Sequence, residues 1–164
     1  MRRKLSALLV LALFVAAPTQ VRAAGETGHG IRGWGPRVGL ASDPDQLVVG
    51  AHLDAGRITP RVRFQPDVEL GIGDDFVILG FTAPVHYRFP VTGDIKPYAG
   101  GGVTLAYIDW DSHGRGDSDD VEAAIDVIGG VEWQLRSGNL FFVEFDILVG
   151  DLHDFQLIAG WTFR

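Results

Sequence analysis

The stretch VEAAIDVIGGVEWQL (residues 121–135), followed by FFVEFDILVG (141–150) and FQLIAGWTF (155–163), decides the fold. One parity reads Val121, Ala123, Ile125, Val127, Gly129, Val131, Trp133, Leu135, then Phe141, Val143, Phe145, Ile147, Val149, then Phe155, Leu157, Ala159, Trp161, Phe163. The other parity carries Glu122, Asp126, Glu132, Glu144, Asp146, Gln156 and several glycines. Neighbouring side chains on a strand point to opposite faces, so each segment is a strand with one apolar and one polar face. A soluble barrel would turn the apolar face inward. A membrane barrel turns it outward to lipid.

Working outward, the same period marks five earlier segments at about 33–41, 46–55, 58–73, 76–89 and 95–109, eight strands in all. Turn signals separate them: Asp43-Pro44-Asp45, Gly56-Arg57, Gly73-Asp74-Asp75, Thr92-Gly93 and Ser137-Gly138, with a long polar loop over 109–120. Pro60, Pro66 and Pro84 each remove a ladder donor, so interruptions are expected there. No segment has a helical period. The expected fold is all-β: an eight-stranded antiparallel up-and-down transmembrane β-barrel over residues 33–164.

The first residues read differently. Met1-Arg2-Arg3-Lys4 is basic, an apolar run extends from Leu5 to Ala17, and Val21-Arg22-Ala23 offers a cleavage site. Residues 1–23 are therefore expected to be a cleaved signal peptide, and 24–32 a flexible lead. Beyond the signal no apolar stretch is long enough for a membrane helix, which leaves a closed barrel as the way to span a bilayer. The chain has 164 residues and no cysteine, so disulfides and thiolate metal sites are excluded. Its formal charge is −7, and losing the signal takes four of the 14 basic residues and none of the 21 acidic ones. That acidity argues against a nucleic-acid partner.

In the barrel reading the lumen receives a charged set: Arg37, His52, Asp54, Arg61, Arg63, Glu69, His86, Arg88, Glu122, Asp126, Glu132, Glu144 and Asp146. An eight-stranded barrel is only wide enough for its own side chains, so these are expected to pair into a plug. Aromatics sort to the strand ends. Tyr87, Phe89, Trp133, Phe141, Trp161 and Phe163 fall at one rim and Tyr107 and Phe155 at the other, as interfacial girdles do. With the N-terminus in the periplasm, the larger set marks the periplasmic rim.

The segments Lys96-Pro97-Tyr98-Ala99-Gly100-Gly101-Gly102-Val103, Gly129-Gly130-Val131-Glu132-Trp133, Phe142-Val143-Glu144-Phe145 and Ala159-Gly160-Trp161-Thr162-Phe163 carry a resemblance. The chain resembles the small eight-stranded outer-membrane proteins of the OmpA-like and opacity-type outer membrane protein β-barrel domain families. The resemblance implies an outer-membrane location, contact with membrane lipid and lipopolysaccharide, and delivery by the assembly machinery through the C-terminal strand. In the family that strand ends on an aromatic residue; here Arg164 follows Phe163.

Function is less legible. The acidic residues Asp109, Asp111, Asp117, Asp119 and Asp120 faintly echo a calcium loop without its flanking helices. A solvated loop that bridges to lipopolysaccharide phosphates through divalent cations is an intermediate reading. Ser112-His113 are adjacent in that loop, and no serine, histidine and carboxylate share a pattern suited to nucleophilic catalysis. The expectation is a non-enzymatic monomer without cofactor, in an envelope-structural or surface-interaction role. The alternatives are a periplasmic or secreted lipocalin-like binder of apolar ligands, a narrow pore, and a lipid A-modifying enzyme.

Overall fold

A computed structural model describes residues 28–110, 118–150, 152 and 155–164. The expected signal peptide and residues 24–27 of the expected lead lie outside the described residues. Eight strands follow one another: β1 (Gly28–Ser42), β2 (Gln46–Thr59), β3 in two pieces (Val62–Phe64 and Asp67–Ile72), β4 in two pieces (Phe76–Thr82 and Val85–Arg88), β5 (Ile95–Trp110), β6 (Ser118–Gln134), β7 (Leu140–Gly150) and β8 (Phe155–Thr162). Each pairs antiparallel with the next, and β1 also pairs with β8, which closes the ring. Closure leaves no sheet edge, so the barrel wall keeps its backbone groups bonded within itself.

The proline interruptions occur where the missing donors require them. Pro66 separates the pieces of β3 and Pro84 those of β4. Neighbouring groups bridge both gaps: Leu53 N donates to Pro66 O at 2.9 Å and Gln65 N to Pro84 O at 3.3 Å. Side-chain alternation runs through the gaps unbroken, with Arg63, Gln65 and Asp67 all buried.

Three boundaries differ from the sequence expectation. The first strand begins at Gly28, so the described part of the expected lead, 28–32, belongs to β1 and pairs with the end of β2 (Gly28 with Arg57, His29 with Gly56). A ladder needs only backbone groups, and glycine-rich composition conceals it. Gly56-Arg57 does not turn the chain. Gly56 has φ +101° and its amide donates to Asp54 Oδ1 at 3.2 Å, which bends β2 locally without ending it. The reversal comes at Pro60-Arg61, where Val62 N donates to Thr59 Oγ1 at 3.1 Å. Finally, the expected loop over 109–120 is shorter, because β5 and β6 stay paired through Asp109 with Asp119 and Trp110 with Ser118. Polar strand residues extend a hairpin as well as apolar ones where water replaces lipid.

The two faces separate cleanly. Val121, Ile125 and Val127 are exposed, while Ala124, Asp126, Ile128 and Glu132 are buried. Val121 is 71% exposed and Leu40 65%, whereas Glu132 and Glu144 are 1% exposed. Val38, Leu47, Val77, Phe81, Val103, Leu105, Ile147, Val149 and Leu157 extend the apolar exterior around the ring. A water-soluble monomer rarely exposes apolar patches beyond a few hundred Å². The arrangement that would place the apolar set around an enclosed ligand is not the one adopted, since that set faces out.

The interior is layered. We call the end where β1 begins and β8 finishes the lower end. Near the upper end Phe76, Ile78, Ala106, Ile108, Ala124, Leu148 and Leu152 pack together inside the barrel. Ala41, Val48, Phe142 and Ile158 form a second apolar cluster. The remaining inward positions are mostly polar or charged. The inner face is thus less uniformly polar than its sequence suggests.

Candidate functional site: the charged lumen

Arg37, on β1, is the hub of the lumen. Its guanidinium lies 2.9 Å from Asp67 Oδ2, 2.6 Å from Glu69 Oε1, 2.8 Å from Glu144 Oε1 and 3.7 Å from Asp146 Oδ2. One cation therefore holds carboxylates from β3 on one side and β7 on the other. The planar five-donor fork of arginine suits that task; a lysine ammonium could not reach both walls in fixed geometry. The hub's partners are held in turn. Tyr98 OH donates to Glu144 Oε2 at 2.7 Å, and Gln156 Nε2 to Glu69 Oε2 at 2.9 Å.

A second group lies nearer the lower end. Arg63 Nη1 donates to Glu132 Oε2 at 2.9 Å, and Arg88 pairs with the other oxygen of the same carboxylate. Arg63 also lies over the Tyr98 ring, 5.8 Å from its centroid, and His86 stacks on that ring at 5.0 Å. Gly130 faces the Tyr98 ring. A Cβ at Gly130 would stand 2.4 Å from its Cζ, so the glycine leaves the space that lets the ring cross the lumen. His52 Nε2 lies 2.9 Å from Thr162 Oγ1 and meets the edge of Phe142. Asp54 pairs with Arg164 at 3.0 Å, so the residue that follows the final aromatic closes the lower end of the lumen. Asp126 accepts from Thr104, which is also bonded to Thr82 at 2.9 Å.

Most of the charged set named from the sequence lies inside: Arg37, His52, Asp54, Arg63, His86, Asp126, Glu132, Glu144 and Asp146 are buried, and Glu69, Arg88 and Glu122 are half-buried. Arg61 is a correction. It is exposed in the β2–β3 turn, because the true reversal falls at Pro60-Arg61, and its Nη1 donates to Tyr87 OH on the outer surface at 3.3 Å. The sequence reading did not include Asp67, Tyr98, Thr104, Gln156, Thr162 or Arg164 in the network. Alternation does put Asp67 on the polar face with Arg63 and Glu69, but nothing local marks it as a partner of Arg37. No local signal marks Arg164.

The cavity left between Arg37, Gln46, Asp67, Glu69, Asp126, Asp146 and Gln156 is about 40 Å³, room for only a few waters. The described residues contain no cluster of three or more His, Cys, Asp or Glu arranged to hold a metal ion. Of the acidic-loop residues, Asp111 and Asp117 lie outside the described residues. Asp109 and Asp120 are exposed at the upper end, and Asp119 stands in β6 opposite Asp109.

The outer surface carries an aromatic belt at the lower end. Trp133 and Phe141 have ring centroids 5.5 Å apart, Phe141 and Trp161 4.9 Å, and Tyr87 and Phe89 5.3 Å. Trp34 joins the belt beside Phe163 at 5.6 Å. Tyr107 and Phe155 are exposed towards the upper end, with Phe155 5.9 Å from Phe145.

No protein-family model matches the chain, and no curated protein matches its sequence. Solved structures do match. The N-terminal β-barrel domain of Pseudomonas aeruginosa OprF superposes with a TM-score of 0.63 at 12% identity, covering 82% of this chain and 99% of that one. Neisserial surface protein A superposes with a TM-score of 0.58 at 18% identity, covering 80% of this chain and 94% of that one. Ring closure by eight strands, the outward apolar face and these superpositions agree: the fold of this chain is that of the small eight-stranded outer-membrane β-barrels.

Proposed function

We propose that the chain is a non-enzymatic outer-membrane protein with an envelope-structural or surface-interaction role, its lumen plugged by charged side chains. The lower end faces the periplasm and the upper end the exterior, where lipopolysaccharide is the neighbouring lipid. The observation that carries the reading is the inverted polarity: a ring of apolar side chains outside and Arg37 with four carboxylates inside. In lipid this arrangement sets the outward apolar side chains against hydrocarbon and shelters the lumen charges from it. The cavity of about 40 Å³ between Arg37 and its neighbours supports a plug rather than a pore. The chain inserts as a monomer, with β8 as the strand presented to the assembly machinery.

Two measurements test this. After expression of the full chain in a Gram-negative host, the protein is expected in the detergent-resistant outer-membrane fraction. It should migrate faster in electrophoresis before boiling than after. Recovery from the soluble periplasm would refute the location. In planar bilayers the purified barrel should give no stepwise conductance; regular steps would replace the plug with a narrow pore.

A further inference from the structure

The exposed charges of the barrel are sorted by end. At the upper end Asp43, Asp45, Asp74, Asp75, Asp109 and Asp120 are all exposed, and no lysine or arginine stands there among the described residues. At the lower end Arg61, Arg136 and Arg164 are exposed, with Asp94 as the one exposed acid among the described residues; Arg57 and Lys96 are half-buried there, opposite the inward-facing Arg63 and Glu132. Neither group is spent on the other, because the length of the barrel separates them. Exposed charges so far apart are screened from each other in any case.

The basic end coincides with the aromatic belt. Arg61 donates to the Tyr87 hydroxyl at 3.3 Å, so the guanidinium sits at the height of a girdle residue. Arg136 is in the turn just beyond Trp133, and Phe141 begins the strand that follows that turn. Lys96 does not join them: it stands opposite Glu132 on the inward parity, and its Nζ donates to Val91 O at 2.8 Å. Aromatic belts settle at the level of lipid headgroups. Cations fixed at that height, with no exposed carboxylate beside them except Asp94, meet headgroup phosphates.

We infer that the lower rim is a binding surface for anionic glycerophospholipid headgroups, with Arg61 and Arg136 as its phosphate contacts. The inference rests on the membrane-barrel reading and adds to it a lipid selectivity confined to one leaflet. The polarity of the rims favours this leaflet over the one built of lipopolysaccharide. The acidic upper rim would repel the phosphates of lipid A, whereas the basic lower rim attracts phosphatidylglycerol directly. Basic residues held close to an anionic surface each strengthen binding, so the two together set a preference that a neutral rim would lack.

The test is lipid retention by the folded full-length barrel. The protein in neutral detergent is mixed with equal amounts of phosphatidylglycerol and phosphatidylcholine, and retained lipid is counted by native mass spectrometry. The wild type should retain phosphatidylglycerol in preference. The variant Arg61→Gln/Arg136→Gln should lose about fivefold of that preference for each charge removed. The upper-rim variant Asp43→Asn/Asp45→Asn/Asp74→Asn/Asp75→Asn should keep it. Equal retention of the two lipids by wild type, or an unchanged preference in the Arg61→Gln/Arg136→Gln variant, would overturn the inference. With lipid A as a third component, stronger retention of lipid A than of phosphatidylglycerol through the same two residues would overturn the choice of lipid. Heat-dependent migration reports folding separately. A folded barrel without preference removes only the lipid surface, while absence of any folded form removes the barrel reading beneath it.

Discussion

Arg37→Met is expected to lower the unfolding free energy of the barrel by about 3–5 kcal/mol, the usual cost of removing one partner from a buried ion-pair network. The loss should be read as an earlier urea midpoint for the heat-dependent mobility shift. The reason is specific to the hub. Asp67, Glu69, Glu144 and Asp146 surround a single guanidinium, so its removal strands four carboxylates in the barrel interior. Methionine keeps much of the volume and hydrocarbon of the arginine, which leaves charge as the main change. The double variant Arg37→Met/Glu144→Gln should recover part of the loss, since it takes away one of the stranded charges. If the second substitution destabilised further by its own full amount, the hub would be acting through packing rather than charge.

Val127→Arg is expected to cost about 2–4 kcal/mol in a bilayer, while Val121→Arg should cost only about 0–1 kcal/mol. Both valines are exposed on the same outward face of β6. Val127 stands near the middle of that strand and Val121 near its upper end. A guanidinium at mid-depth must be dehydrated or must draw water into the hydrocarbon, whereas one near the rim reaches the headgroups. The pair of substitutions therefore reports depth rather than generic tolerance of arginine. Equal costs at the two positions in bilayer-folded protein would argue against a lipid-facing β6.

Much of this architecture is legible in the sequence because the governing rule is local. Alternation along β6 and β7 placed Asp126, Glu132, Glu144 and Asp146 inside and Val127, Phe141 and Phe145 outside, as the structure has them. The proline interruptions were equally local, each following from one missing donor. Legibility failed where the outcome depends on a partner distant in sequence. Gly56-Arg57 carries turn chemistry, but pairing with Gly28 and His29 keeps β2 going past it, and Arg61 consequently moves from lumen to rim. Gly28 to Arg32 have no strand composition and are ordered by the same pairing. Arg37 looked like one basic residue among several, although register with β8 and the closure of the ring make it the hub. Arg164 looked like an exception to the family's terminal aromatic, yet it pairs with Asp54 across 110 positions of sequence. The apolar inner layer of Phe76, Ile78, Ile108 and Leu148 follows from parity, but composition gave no reason to expect such side chains inside a polar lumen.

The direction in which the two faces point is open to one direct measurement. The chain has no cysteine, so single cysteines can be placed at each position from Val121 to Gln134 and spin-labelled in the bilayer-folded protein. Accessibility to oxygen, which partitions into lipid, is compared with accessibility to a water-soluble nickel complex. Labels at 123, 125, 127, 129 and 131 should be reached by oxygen, with the maximum near 127. Labels at 124, 126, 128, 130 and 132 should be reached by neither reagent. If the odd positions were shielded from oxygen and the even positions open to the nickel complex, the apolar face would be the interior and the membrane barrel would be contradicted.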